Sequence, residues 1–496
     1  MLAYCIVCLL ALAALFAAAP ASASGSIDGT FPDRLITLSK TSPKDNSYTV
    51  DIQVPGPGSW WVELLSNNGA WILVQVYDSP EVKGGPVSST DLKSQGDVSK
   101  PTYVPDGASY LARLTYYGKS GSATLQENFI EKPIPDLIDH DPIQIWSDSQ
   151  FTAENGVVGG TGIETDPYVI QGWMIDAHKT NHAIIVGRTS AYFVIDNVLA
   201  YGAGEGYTGV SIYQAKNGLV EDIVAHDCPS GIGVVLCEDV IVRDCLAYSN
   251  TYEGVMVADS VRVDVTGNIL RDQMLGVWIG AQGVADDTID ANVISNCEVG
   301  VYAEFVKTVT ISGNSISSCS AAIILGSASE CAVSDNAIQS CIGPMGAIYL
   351  RYDTNCVVDG NRVELTAQNG ICVLDSDAIT LTGNSVSQGG CGMILLGFAG
   401  SGTDIVVTGN VLRDNVDGLD VFDLGSALIY GNDIVDNTYQ AYQGNSVVAW
   451  DFMGSGNYWS DYGGSDSNDD GIGDTPYLIS GGGVDNYPLM SPLVLP

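Results

Sequence analysis

The chain has 496 residues, with 19 Lys or Arg against 58 Asp or Glu, a formal net charge of −39 although only 16% of residues are charged. So few basic side chains cannot neutralise a polyanion, which excludes nucleic acid and polyanionic polysaccharide as partners and leaves divalent cations and neutral polymers. The length is ample for a large core and a second domain.

Met1 to Ala19 is almost wholly apolar, and Pro20-Ala21-Ser22-Ala23-Ser24 offers an Ala-x-Ala cleavage point after Ala23. Residues 1–23 therefore read as a secretory signal; no Lys or Arg precedes the apolar run, so an uncleaved anchor is the alternative. No later run is long enough to span a bilayer, so the mature chain is expected without a membrane span, secreted or at the cell surface.

Residues 24–130 show alternating strands separated by turn residues and predict a small β-sandwich. "SWWVELLSNNGAWILVQVYD" reads as a hairpin turning at Asn67-Asn68-Gly69, and "SYLARLTYYGKSGSATLQE" as another. Trp60, Trp61 and Trp71 are candidates for stacking on sugars, although adjacent Trp60 and Trp61 point to opposite faces of a strand. The proline-rich residues 131–142 predict a linker, and the glycine-rich residues 143–165 a cap on the region that begins at 166.

Residues 166–450 repeat. A small polar residue recurs at Asn197, Asp222, Asp244, Asn268, Asn292, Asn314, Asn336, Asn361, Asn384, Asn410 and Asn432, every 22 to 26 residues. An aliphatic residue stands three positions before each (Val194, Leu219, Ile241, Val265 and so on) and another two positions after (Leu199, Val224, Leu246, Leu270 and so on). A second pair of aliphatic columns, typified by Ile184/Val186, Val255/Val257 and Ile323/Leu325, follows a Gly or Ala in each repeat. The Val and Ile content and period-two alternation make these strands, and the repeat makes them coils of a parallel β-helix, with a column of Asn that tolerates the left-handed turn and can hydrogen-bond from coil to coil.

The repeats "VTGNILRDQMLGVWIG", "ISGNSISSCSAAIIL" and "LTGNSVSQGGCGMILL" resemble those of the NosD-like, carbohydrate-binding and sugar-hydrolase group of right-handed parallel β-helices. The ending "GNYWSDYGGSDSNDDGIGDTPYLISGGGVDNYPLMSP" resembles the close of secreted surface proteins of methanogenic archaea. The resemblance implies an all-β chain, a right-handed parallel β-helix with an N-terminal sandwich. It does not choose among binding proteins, structural proteins, lyases and hydrolases, all built on such repeats.

Ten of the 12 cysteines lie in the solenoid, and Cys297, Cys319 and Cys341 recur every 22 residues. Buried free thiols filling a turn, or disulfides between neighbouring coils, both fit that spacing. Catalytic signals are thin. Arg351 with Asp353 and Asp375 is the best lyase-like group, and Asp417, Asp420 and Asp423 the best acidic group for glycoside hydrolysis. Both are more simply surface ion pairs or solvated carboxylates. Copper handling, associated with the NosD name, calls for soft or imidazole ligands. Met256, Met274 and the four histidines (His140, His178, His182, His226) form no spacing motif for it.

Residues 451–496 predict the C-terminal cap and contain a calcium-type loop. Asp466, Asn468, Asp470 and Asp474 supply side-chain oxygens at loop positions 1, 3, 5 and 9, with Gly471 at position 6 and the Ile472 carbonyl at 7. Tyr477 occupies position 12, so a bidentate ligand must come from elsewhere, with Asp461 and Asp485 as candidates.

Between the two inward columns that follow the Gly or Ala lies one that must face outward: Ile185, Ser211, Gly233, Met256, Trp278, Tyr302, Ile324, Tyr349, Cys372, Ile394, Asp420 and Tyr442. Its apolar character marks a contact face, with Trp278, Tyr302, Tyr349 and Tyr442 as its aromatic contacts. The expectation is a non-catalytic surface protein that binds polysaccharide or envelope components, or self-associates. A polysaccharide lyase or glycoside hydrolase, and a periplasmic copper-associated maturation protein, are the alternatives.

Overall fold

The computed structural model describes residues 137–493 except 180, 282 and 399, and before them residues 26–28, 35–40, 47–55, 58–67, 71–78, 86, 88–93, 99, 102–104, 109–117 and 121–130. The expected signal segment, residues 1–23, lies outside the described residues. The chain divides into two compact units, Met1–Pro135 and Asp136–Pro496.

The first unit is a sandwich of two antiparallel sheets. One orders Ser26–Asp28, Leu35–Lys40, Gly121–Ile130, Gly58–Asn67 and Thr102–Val104; the other orders Ser47–Pro55, Ser109–Tyr117, Trp71–Tyr77 and Ser88–Leu92. Ile36, Leu38, Val54, Trp60, Leu64, Ile72 and Leu114 fill the space between them. Neither expected hairpin forms. Gly58–Asn67 and Trp71–Tyr77 belong to different sheets, as do Ser109–Tyr117 and Gly121–Ile130. In each case the following strand joins the other sheet, because a turn sequence reverses the chain without choosing the partner strand. Trp60 and Trp61 are both buried, and Trp71 lies flat on Tyr117 with ring centroids 4.1 Å apart.

The second unit is the parallel β-helix. One sheet stacks a strand from each coil in sequence order, from Ile143–Ile145 through Leu275–Gly280 and Val299–Glu304 to Tyr439–Gln443. The larger sheet takes two strands per coil and bends between them at the Asn ladder. The solenoid starts earlier than expected. Ile138–Asp139 pairs in parallel with Trp173–Asp176, and Ile143–Ile145 with Ile184–Gly187, so residues placed in the linker and cap belong to the first coil.

The ladder runs from Asn268 to Asn457. Asn314 shows the pattern: its Nδ2 donates to Asn336 Oδ1 at 2.9 Å and to the Ile289 carbonyl at 2.9 Å, while its Oδ1 accepts from the backbone N–H and Nδ2 of Asn292. Beyond Asn457 the ladder ends on buried Asp485, whose Oδ2 accepts the Asn457 N–H at 2.8 Å.

The first three coils correct the predicted register. Asn197, Asp222 and Asp244 lie outside the ladder, one residue earlier, at left-handed corners with φ of 52°, 52° and 56°. Val198, Ile223 and Cys245 take the inward corner position, and the Cys245 N–H donates to Asn268 Oδ1 at 2.9 Å. The aliphatic columns slip with them. Ile195, Val220 and Val242 enter the core instead of Val194, Leu219 and Ile241, and Ala200, Ala225 and Ala247 replace Leu199, Val224 and Leu246 there. From Asn268 onward the predicted core columns hold, and Ile289, Ile311, Val333 and Leu381 are fully buried.

Many corners share one pattern: a left-handed residue, then an inward side chain that donates to the carbonyl two residues back. Asn384 does this to Thr382, Ser376 to Leu374, and the thiols of Cys297, Cys319, Cys331 and Cys356 do it too. All ten described cysteines are buried. Burial pushes the Cys341 thiol up to about 12, out of the range of a reactive thiolate.

Candidate ligand-binding face

The outward column is in register throughout. Gln144 pairs with Ile185, and the row continues through Ser211, Gly233, Met256, Trp278, Tyr302, Ile324, Tyr349, Cys372, Ile394 and Asp420 to Tyr442. Exposure is uneven. Met256, Trp278, Tyr302, Ile324 and Ile394 are half-buried and Tyr442 is 39% exposed, whereas Tyr349 and Cys372 are buried at 7% and 3%. The accessible aromatics are therefore Trp278, Tyr302 and Tyr442, the last tilted against Phe422 at 5.2 Å. The outer rows of the larger sheet differ: Asp290, Ser312, Ser334, Asp359, Thr382 and Thr408 stack in one row, as a solvated surface would.

The face carries few charges. The Arg351 guanidinium lies 3.3 Å from Glu304 Oε1, two coils back across Gly326. Burial and the neighbouring Glu304 carboxylate push the Tyr302 phenol up to about 12, so it stays a hydrogen-bond donor. Burial, then repulsion from Asp417, raises half-buried Asp420 to about 6.

The lyase-like group does not assemble. The Asp353 carboxylate is buried and used as a corner cap, accepting the backbone N–H groups of Ala328 at 2.7 Å and Arg351 at 2.9 Å. Asp375 accepts from the Ser401 hydroxyl, leaving the guanidinium to Glu304. Asp417 and Asp420 share the outer face, while Asp423 turns to the corner and accepts from Asn445 Nδ2.

Sequence spacing did not link His140 and His178, which with Met174, Asp139, Asp141, Asp176 and Tyr201 line a cavity of about 420 Å³. His178 Nδ1 lies 3.3 Å from Asp176. Imidazole and thioether donors suit copper, yet no three His, Cys, Asp or Glu side chains converge as metal ligands among the described residues.

The cap loop is curled. Asp466 accepts from the backbone N–H of Asp470 at 3.2 Å and of Gly471 at 2.9 Å, and Asp470 Oδ1 accepts from that of Ile472 at 2.9 Å. Asp474 is held by the Ser467 hydroxyl and N–H and the Ser465 hydroxyl, which lower its pKa. Asp461 takes the Tyr477 hydroxyl at 3.0 Å, and Asp485 is committed to the end of the Asn ladder, so it is no ligand for the loop.

Comparison with known proteins places this geometry. A probable ABC transporter binding protein NosD of Stutzerimonas stutzeri is 35% identical over 138 residues, which cover 24% of this chain and 30% of that protein. The catalytic domain of a GH87 alpha-1,3-glucanase D1069A variant, solved with tetrasaccharides, aligns over 88% of this chain and 98% of its own at 13% identity and a TM-score of 0.45. The mannuronan C-5 epimerase AlgE6 A-module of Azotobacter vinelandii aligns over 57% of this chain and 79% of its own, at 14% identity and a TM-score of 0.34. Those two likenesses concern the coiled architecture, and the sugars they act on stay theirs. The family described as periplasmic copper-binding protein (NosD) matches residues 160–319 and 275–464, more than half of the chain, so the chain belongs to the NosD family.

Proposed function

We propose that this NosD-family chain works outside the cytoplasm as a non-catalytic β-helix that binds a neutral polysaccharide along the face containing Trp278, Tyr302 and Tyr442. The observation that carries this reading is the contrast between the two sheets. The larger one shows water a row of Asp, Ser and Thr, with exposed aliphatics such as Ile269, Val293 and Val357 in its other rows but no aromatic line, whereas the other presents an in-register line of half-buried apolar and aromatic side chains. Such a strip on an otherwise polar, strongly acidic solenoid suits the C–H faces of uncharged sugar rings.

Trp278→Ser combined with Tyr302→Ser tests it, read by a polysaccharide array and by thermal unfolding. Lost polymer binding with an unchanged Tm supports the reading. Lost self-association instead assigns the face to a second copy of the chain, and a fall in Tm alone makes it covered core. Copper handling is favoured by the donor types around His140, Met174 and His178, although no three His, Cys, Asp or Glu side chains converge there among the described residues. The apolar segment from Met1 to Ala19 and the family's description as periplasmic support placing the chain outside the cytoplasm. Calcium binding in the cap is a further part of this proposal.

A further inference from the structure

We infer that Trp278, Tyr302, the Glu304–Arg351 pair, Phe305 and Tyr352 form one subsite that binds a short run of uncharged sugar units of the polymer, through a stacking surface and a pair of adjacent hydroxyls. This rests on the polysaccharide reading and specifies where on the face the sugar is recognised and by what.

Trp278 supplies a flat surface. A Cβ added to Gly280, two residues on in the same strand, would stand 3.0 Å from Trp278 Cζ2 and 3.3 Å from Cε2. The indole thus lies across Gly280, against the sheet, and remains half-buried rather than covered.

The next outward row runs Gly280, Glu304, Gly326, Arg351. Gly280 makes room for the indole, and Glu304 and Arg351 meet over Gly326, with their Cγ and Nη2 atoms 3.5 and 3.6 Å from where its Cβ would be, at ordinary contact distance. A carboxylate and a planar guanidinium side by side offer an acceptor and donors at the spacing of neighbouring hydroxyls. Tyr302, protonated, adds a donor beside them.

The backbone gives the independent sign. Phe305 and Tyr352 directly succeed the two charged residues, at corners with φ of 58° and 61°, and are 61% and 56% exposed. Left-handed backbone is unfavourable for bulky side chains, and an exposed corner gains nothing from packing them. In the same column Leu236 is another bulky exposed corner, at φ 56°, and Asp259, Ala281, Ser327 and Asp375 hold the others. Aromatic corners, however, fall only on the two coils of that stretch that hold the ion pair, and their exposure there points to contact with something outside the chain. The Arg351 guanidinium lies 5.8 Å from the Tyr352 ring centroid.

Charge selects the occupant. Glu304 and Arg351 cancel, leaving no spare cation for a uronate or sulfate group, and a chain at −39 repels such polymers.

The test measures binding of the full chain to soluble neutral glucans and mannans, with alginate as the charged comparison, by calorimetry and affinity electrophoresis. Phe305→Ser/Tyr352→Ser relieves strained corners and should leave Tm unchanged or higher, yet weaken glucan or mannan binding about tenfold or more. Glu304→Gln should weaken it to a similar degree, and Tyr442→Ser, at the far end of the column, only slightly. Alginate should not bind. If the native chain binds none of the neutral polymers, the polysaccharide reading itself falls. If it binds them and the Phe305/Tyr352 and Glu304 variants bind equally well, the face stands and the subsite is wrong. Preference for alginate also overturns the subsite.

Discussion

Asn336 shows how much structure one residue carries here. Its Oδ1 accepts from the backbone N–H and Nδ2 of Asn314, and its Nδ2 donates to Asn361 Oδ1 and the Ile311 carbonyl, all within 3.0 Å and with the side chain buried. Asn336→Ala therefore strands donors and an acceptor that water cannot reach. It should cost about 3 kcal/mol, more than the roughly 1 kcal/mol of a single hydrogen bond, because unsatisfied buried groups retain their desolvation penalty. Denaturant unfolding would measure it, and a loss near zero would mean that the ladder is dispensable. The same scale accounts for the acidity. Asp is the commonest non-glycine residue at the left-handed corners, a conformation that Asp tolerates well. Part of the −39 charge is thus an outcome of building corners rather than a device for binding.

Among the elements, the sequence was most legible where one side-chain type repeats. Asn268 through Asn432 could be aligned by eye because each fills an identical amide site. In the first three coils that signal failed: Asn197, Asp222 and Asp244 suit a left-handed corner as well as a ladder, and the inward corner there is Val198, Ile223 or Cys245. A one-residue slip exchanges inside for outside, so Ile241 emerges 37% exposed while Val242 is buried. The sandwich turns failed differently, since local residues set the reversal and long-range packing sets the partner. The outward column was legible throughout, being tied to its glycine or alanine neighbour, but the cover over Tyr349 was not. The register makes a direct prediction. Ile311 is fully buried in the core, so Ile311→Asp should lower stability by about 3 kcal/mol or more as a carboxylate enters without a partner. Unchanged thermal unfolding would contradict the register.

For the whole molecule, the open question is how a chain so acidic closes its last coil. The Asn ladder ends on Asp485, and Trp450, Trp459 and Ile479 close the core beneath the cap. The exposed loop from Asp466 to Asp474 then carries four carboxylates, Asp466, Asp469, Asp470 and Asp474, on a molecule already far from neutrality, and no three of them converge, in keeping with like-charge repulsion. Its form nevertheless favours gathering. Asp466 is turned inward onto two backbone N–H groups, Asp469 and Gly471 adopt left-handed φ of 54° and 83°, and Asp474 is held ionised by Ser465 and Ser467. A hard divalent cation would relieve the repulsion and use Asp466, Asn468, Asp470, Asp474 and the Ile472 carbonyl as oxygen ligands. Tyr477 removes the usual bidentate carboxylate and Asp485 is engaged elsewhere, so the affinity should be weak, with a dissociation constant of about 0.1–1 mM. At saturating calcium the cap should gain stability in proportion to occupancy, raising Tm in the native chain and leaving Asp470→Ala unmoved. Calorimetric titration of both proteins with calcium decides the matter: a binding heat present in the native chain and absent in Asp470→Ala supports the site, and equal heats in the two remove it.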